Sequence, residues 1–392
     1  MRVRQQYAPT FQIVSSDGTP VPSSWDVIVI GGGAVGASCA REIAMTGRRV
    51  LIVEPGGDAG QAWRAAGGML ASQIEADATN SILELAISAR NYYALLAQAL
   101  RETTGIDIAL WQEGIARVAG DEADAQGLQA KVAWQQKQGY TCEWLDESET
   151  RARWRWLGSA VGALWASQDG ALDPLRLVEA LLADARRLGA GVATDRAIRI
   201  EQNEGRATGV GCEADQYSAG NVVVAAGAWS SQIQGLPRPI PVKPVRGQMA
   251  AVGWPEEMDR AIVYHRDSYI LARGSEAILG STMEDVGYRA DVTPEGVASI
   301  VSATLRLCPG LMRAKIRRSW AGLRPVTPDG LPIIGPDPDL RGLWYATGHG
   351  RNGILLAGLT GRLITGLIDG EDPPGLIRQV GVERFGSAAE TG

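Results

Sequence analysis

The sequence predicts an α/β protein whose parallel sheet is interrupted by a second, α+β domain carrying an antiparallel sheet. Three observations predict it. A short apolar strand, Val27 to Ile30, runs into "GGGAVG" and a helical stretch, then into a second strand, Val50–Val53, that ends on Glu54. Two later apolar runs also end in glycine turns, "NVVVAAGAWS" (221–230) and "LWYATGHGRNGILLAG" (343–358), the latter leading into a helix. Between them, "GQMAAVGW", "SYILARG" and "EAILGSTM" alternate apolar residues over short runs bounded by turn residues, as antiparallel strands do.

The length, 392 residues, suffices for two domains. A net charge of −6 argues against a nucleic-acid surface. The four cysteines form no C-x-x-C pair and there are two histidines, so no metal site is expected and a reduced, cytoplasmic compartment fits. Residues 1–22 lack the continuous apolar stretch of a signal peptide and read as an extension outside the fold. No apolar run reaches the roughly 18 residues of a membrane helix, so no membrane partner is expected.

The first motif has a physical reason at each position. Gly31 permits the tight turn, Gly33 lets the backbone approach a pyrophosphate, and Gly36 allows close helix–strand packing. Ala34 and Val35 open the helix, whose free N–H groups and positive dipole end suit phosphate. Glu54, followed by Pro55, can accept hydrogen bonds from a ribose 2′-OH. This Rossmann-like unit is compatible with both NAD and FAD.

The next segment, "PGGDAGQAWRAAGGML" (55–70), is rich in small residues. Gly67, Gly68 and Met69 could let a flat ring lie against the backbone; a flexible surface loop is the competing reading. A helix is expected from Asp173-Pro174, a good N-cap and first residue. Residues 191–201, "RATGVGCEAD" and "GNVVVAAG" read as returning strands of the nucleotide domain, with Ile198 and Gly227 as cofactor contacts. The turn of 348–354 is a second candidate anion or carbonyl site, built from His349, Gly350, Arg351, Asn352, Gly353 and Ile354.

The nucleotide domain is thus expected in three pieces, 23–105, 168–242 and 323–385. Residues 106–167 and 243–322 form the second domain, and 386–392 a tail. That layout suits FAD, whose two ends need widely separated contacts.

Taken together, "VIVIGGGAVG", "AAGGML", "VVVAAGAWS", "VKPVRGQM", "VYHRDSYILAR", "WAGLRPVTPDGLPIIG" and "GHGRNGILLA" carry a resemblance across 25–385. The chain resembles the FAD-dependent amine oxidases of the D-amino-acid oxidase superfamily, and within them the glycine oxidases of the thiamine-pathway type. The resemblance implies an antiparallel sheet roofing the flavin, a homotetramer, a small amino-acid substrate and O2 as partners. It further implies hydride transfer to flavin N5, giving an imine, then glyoxylate, ammonia and hydrogen peroxide. Sarcosine, another N-substituted glycine or a small D-amino acid is the alternative substrate. A dehydrogenase passing electrons to a partner is a further alternative.

The same resemblance assigns the site residues. Arg324 matches the family's carboxylate clamp, for which a guanidinium fork suits bidentate binding. Tyr269 matches a tyrosine that also contacts the carboxylate, and Arg351 an arginine lining the active site beside the flavin. Each has a plainer reading: Arg324 pairing a surface carboxylate, Tyr269 bonding backbone in a core strand, Arg351 capping a carbonyl. His349 reads as structural or as a backbone contact to the flavin, against a competing acid–base role. Tyr264, His265 and Trp320 are candidate cavity wall. Related sarcosine oxidases attach flavin through a cysteine in the segment matching "WAGLRPVTPDG", which has none here, so the FAD is expected to be non-covalent.

Overall fold

Val27, Ile28, Val29 and Ile30 are all at most 3% exposed, so the first strand requires apolar cover on both faces. A computed structural model, which describes residues 24–57, 60–76, 82–266, 268–372 and 375–386, supplies it. Nearly all of the expected N-terminal extension and C-terminal tail lies outside those residues.

Strand Trp25–Ile30 lies near the middle of the first sheet. The order is Ile333–Pro336, Leu343–Thr347, Gln216–Val224, Trp25–Ile30, Val50–Val53, Gly191–Ala193. All neighbours from Leu343–Thr347 onward are parallel; Ile333–Pro336 runs antiparallel at the edge. Val27 and Val29 face a core made with helices Ala34–Met45, Leu83–Thr104, Pro174–Arg187 and Gly353–Ile368. Ile28 and Ile30 face a second core that includes Ile200, Ala207 and Val210.

The returning strands belong to this sheet, with two departures from a simple parallel row. Residues 191–201 do not form one strand, because the chain turns at Asp195. Its carboxylate accepts hydrogen bonds from the N–H groups of Arg196 (2.7 Å), Ala214 (3.2 Å) and Asp215 (3.2 Å), drawing two loops together. Strand Arg206–Cys212 does not join the parallel row; it forms a hairpin with Ala197–Asn203 and pairs antiparallel with Gln216–Val224. Alternating apolar residues reveal a half-buried strand but not its direction.

The second sheet has the order Ile316–Val326, Lys243–Gly253, Glu276–Gly280, Ser268–Arg273, Ile262–His265, Ile115–Ala119, Gly162–Ala166, Glu143–Asp146. It is antiparallel except where Ile262–His265 meets Ile115–Ala119, the seam between the chain's two excursions from the first sheet. The pairing of Ile316–Val326 with Lys243–Gly253 persists to Lys243↔Val326, so the chain leaves this sheet later than the expected boundary at 323.

Within the 55–70 segment, residues 61–70 are also more ordered than a loop. They contain a helical turn, Ala62–Ala65, and a strand, Met69–Leu70, paired with Gly170–Ala171. Asp173 caps helix Pro174–Arg187 as expected, its carboxylate accepting from the N–H groups of Leu175 and Arg176.

Candidate active site

Between the two sheets lies a cavity of ≈ 550 Å³, well within the range of ligand sites. One wall consists of the C-terminal ends of parallel strands, at Ile30, Val53, Ala225 and Ala346; the other comes from the second sheet, at Met249, Tyr264, Tyr269 and Arg324. Ligands in open α/β sheets bind at that end of the strands.

At one end the glycine turn sets the geometry. Gly31 has φ +105°, and a Cβ there would lie 2.5 Å from the carbonyl oxygen of Ala225. A Cβ on Gly36 would lie 1.9 Å from the oxygen of Gly31, which is the close packing expected of that position. Gly36 consequently sits beneath the turn and does not line the cavity, whereas Gly31, Gly33, Ala34 and Val35 do. Helix Ala34–Met45 has no side-chain cap and no acidic residue in its first turn, leaving N–H groups available to an anion. Glu54 accepts from the N–H of Gly32 (2.7 Å) and of Gly56 (3.1 Å) and from Gln61 Nε2 (3.0 Å). These bonds hold its carboxylate at the rim, with further lone pairs for a donor. Pro55, Gly67, Gly68, Met69, Ile198 and Gly227 line the same cavity.

At the other end lie the three residues assigned to the substrate. Arg324 donates from Nη1 to the carbonyl of Thr282 (3.1 Å) and from Nη2 to Ser281 Oγ (2.8 Å). Among the described residues it has no carboxylate partner. Its burial pulls its pKa below the ordinary guanidinium value, and nearby Arg351 adds to the effect. Tyr269 is 7% exposed, and among the described residues its hydroxyl has a single weak acceptor, Met249 Sδ at 3.4 Å. Burial raises its pKa, so it stays protonated and able to donate.

Arg351 is not a carbonyl cap. Its Nη2 lies 3.2 Å from Glu75 Oε2, while Glu75 Oε1 accepts from the Tyr264 hydroxyl at 2.9 Å. Tyr264 is held protonated by burial first and by Glu75 second. His349 is buried, with Nε2 3.1 Å from Thr360 Oγ1, and burial pushes its pKa down to about 3. His349 also lines the cavity, and burial disfavours its charged form. Gly350, Asn352, Gly353 and Ile354 complete the turn, where helix Gly353–Ile368 presents a second N-terminus without a side-chain cap or first-turn acid.

With this geometry in place, comparison with known proteins is decisive. The sequence profile of the FAD dependent oxidoreductase (DAO) family matches residues 26–367. The chain belongs to this family. It is similar to a glycine oxidase from Geobacillus kaustophilus (strain HTA426), 31% identical over 91% of this chain and 98% of that protein. A solved glycine oxidase from Geobacillus kaustophilus superposes with a TM-score of 0.89 at 30% identity, covering 93% of this chain and 99% of that one. The bifunctional protein ThiO/ThiG of Trichormus variabilis (strain ATCC 29413 / PCC 7937) is 31% identical over 93% of this chain and 56% of its own length. This is an FAD-dependent oxidoreductase of the glycine oxidase type.

The DAO-family site fits FAD on its own features: glycines where a side chain would block the wall, two uncapped helix N-termini, and a rim carboxylate. No cysteine lines the cavity, and Cys308 lies in the core of the second sheet. Of the candidate wall residues, Tyr264 lines the cavity. His265 instead reaches the carbonyl of Val118, and Trp320 bonds the carbonyl of Ala65.

Sequence reasoning missed Glu75. It stands in no recognisable motif, and its importance comes from the fold. The segment 72–74 before it is pinned by Asp169, which accepts from Ser72 Oγ (2.7 Å) and the N–H groups of Gln73 (2.9 Å) and Ile74 (3.0 Å). Buried Arg90 pairs with Asp169 at 2.9 Å from a distant helix.

Proposed function

We propose that this chain oxidises glycine, or a small amine bearing an α-carboxylate, to the corresponding imine. The carrying observation is Arg324: a mostly desolvated guanidinium with no carboxylate partner among the described residues, beside a tyrosine hydroxyl satisfied only by a thioether. A desolvated cation and an under-satisfied donor in one cavity call for an anion. A carboxylate meets both at once, two oxygens on the guanidinium fork and a further lone pair on Tyr269.

FAD, held by the 31–35 turn, Glu54 and the 350–354 turn, would supply a two-electron acceptor that oxygen could regenerate as hydrogen peroxide. The chain's own part is orientation. Arg324 and Tyr269 hold the carboxylate and so orient the α-carbon. Because the amine binds unprotonated, its lone pair forms the C=N bond as hydride leaves, and no side chain needs to act as base. Glu75, within the same cavity, offers its carboxylate toward the amine and keeps Arg351 partly neutralised. The imine leaves and water hydrolyses it to glyoxylate and ammonia. The similarity to a ThiO/ThiG protein supports thiazole formation as the use of this product when glycine is the substrate.

The test is anaerobic addition of glycine, sarcosine and D-alanine separately to the yellow protein, following flavin absorbance. Bleaching fastest with glycine, and peroxide on admitting air, is the expected result. Bleaching by a bulkier amine alone removes glycine and keeps the chemistry. Slow reoxidation by oxygen would point instead to a dehydrogenase, and no bleaching by any of them, or by an amine bearing a second carboxylate, would overturn the reading.

A further inference from the structure

The substrate end of the cavity holds one arginine that the proposed reaction leaves unused. Tyr264 is the Cα partner of Tyr269 on one side and of Arg117 on the other. Residues opposite one another in a sheet project from the same face. Ile115 and Ala119, which flank Arg117 at alternate positions, pack in the same core cluster as both tyrosines. Ala116 and Val118 pack on the opposite face. Arg117 therefore rises from the cavity side of the sheet, half-buried, and lines the cavity beside Tyr264.

Every neighbouring arginine has a partner or an assigned one. Arg351 has Glu75, and Arg266 at the rim has Asp121 and Asp124. Arg324 is the α-carboxylate clamp in the reading above. Among the described residues Arg117 has neither an ion pair nor a hydrogen bond. Around the tyrosines, then, three arginines (117, 324, 351) face one carboxylate, Glu75, among the described residues. Three less one leaves two positive charges, and a simple α-carboxylate neutralises one of them. A half-desolvated guanidinium without an anion is unfavourable in the free enzyme and becomes favourable when an anion arrives.

We propose that the substrate carries a second anionic group, remote from its amine, and that Arg117 binds it. The preferred class is an amino acid with two carboxylates, or a carboxylate and a comparable oxyanion, with glycine and other neutral small amines as slower substrates of the same site. This inference rests on the α-carboxylate reading of Arg324. Arg117 and Tyr269 lie two strands apart, about 10 Å between main chains. An arginine side chain and a short linker between the two anions span that gap. Arg117 thereby acts as a specificity residue.

The experiment compares charged and neutral partners on the FAD-loaded enzyme. Iminodiacetate is set against N-ethylglycine, N-(2-carboxyethyl)glycine against N-propylglycine, and D-glutamate against D-norvaline. In parallel, the non-reactive acids glutarate and butyrate are titrated by the shift each causes in the flavin spectrum. The expected result is that at least one diacid exceeds its neutral partner in kcat/KM by about tenfold or more, as a charge-assisted contact implies. Glutarate should likewise bind about tenfold more tightly than butyrate, and Arg117→Gln should bring both ratios toward one. Diacids no better than their partners would overturn the proposal, as would an Arg117→Gln enzyme in which both ratios persist. If no amine bleaches the flavin, the amine-oxidation reading fails. The glutarate–butyrate ratio still decides this one, and a wild-type ratio of one would overturn it even if the variant did not fold.

Discussion

Arg324→Lys keeps the positive charge and removes the fork. Arg324 already donates from two nitrogens to Thr282 and Ser281, which fix its plane across the cavity. An ammonium has neither that plane nor two parallel donors for a carboxylate. Losing one charge-assisted contact of about 1.5–3 kcal/mol lowers kcat/KM for the preferred amine by about 10- to 150-fold. The flavin spectrum without substrate should be retained, because the cofactor contacts assigned above lie elsewhere. Steady-state peroxide production checks this, and a loss below threefold would refute the clamp. At Gly36 the argument is steric. A methyl group placed 1.9 Å from the Gly31 oxygen cannot be accommodated without moving backbone. Gly36→Ala should therefore lose bound FAD and melt at lower temperature, read from the ratio of flavin to protein absorbance and from a thermal scan. An alanine protein that purifies fully yellow would contradict it.

Helices can be tested at their ends and on their open faces. Asp173 holds two N–H groups at the start of Pro174–Arg187, so Asp173→Ala should destabilise the protein by about 1 kcal/mol. Gly127 lies exposed within Glu122–Lys137, and a Cβ added there would meet no atom within 4 Å. Gly127→Ala should then stabilise by about 0.5–1 kcal/mol. Urea titrations of the two variants should move in opposite directions, and a shared sign would mean that the local reading of one helix is wrong. Elements of this kind are legible in the sequence because their signals are local: Asp-Pro before an apolar stripe, or glycines between a strand and a helix. The hairpin of Ala197–Asn203 and Arg206–Cys212 is legible only in part, since alternation does not encode strand direction. The helical turn Ala62–Ala65 is too short to carry a periodic pattern.

At the scale of the whole molecule, the site is where two sheets from interleaved segments meet, and its legibility divides accordingly. Arg324, Tyr269 and Arg351 can be picked out by resemblance because each sits in a quoted run of sequence. Glu75 and Arg117 cannot, since only the register of distant strands and the Asp169 clasp bring them to the tyrosines. His349 links that junction to global stability. Burial lowers its folded-state pKa from 6.5 to about 3, so the native protein excludes a proton that the unfolded chain binds. With more protons on the unfolded state, stability falls as pH drops through 6.5 and goes on falling until about 3. By pH 5 the contribution is about 2 kcal/mol, from about 1.4 kcal/mol per pH unit below the unfolded value. His349→Gln keeps a polar group for Thr360 and removes the titration. Urea unfolding at fixed FAD concentration, at pH 7 and pH 5, should find wild type losing about 2 kcal/mol more than the variant over that interval. Equal losses would mean that the imidazole is protonated in the folded protein, and that the junction between the sheets is wetter than its burial implies.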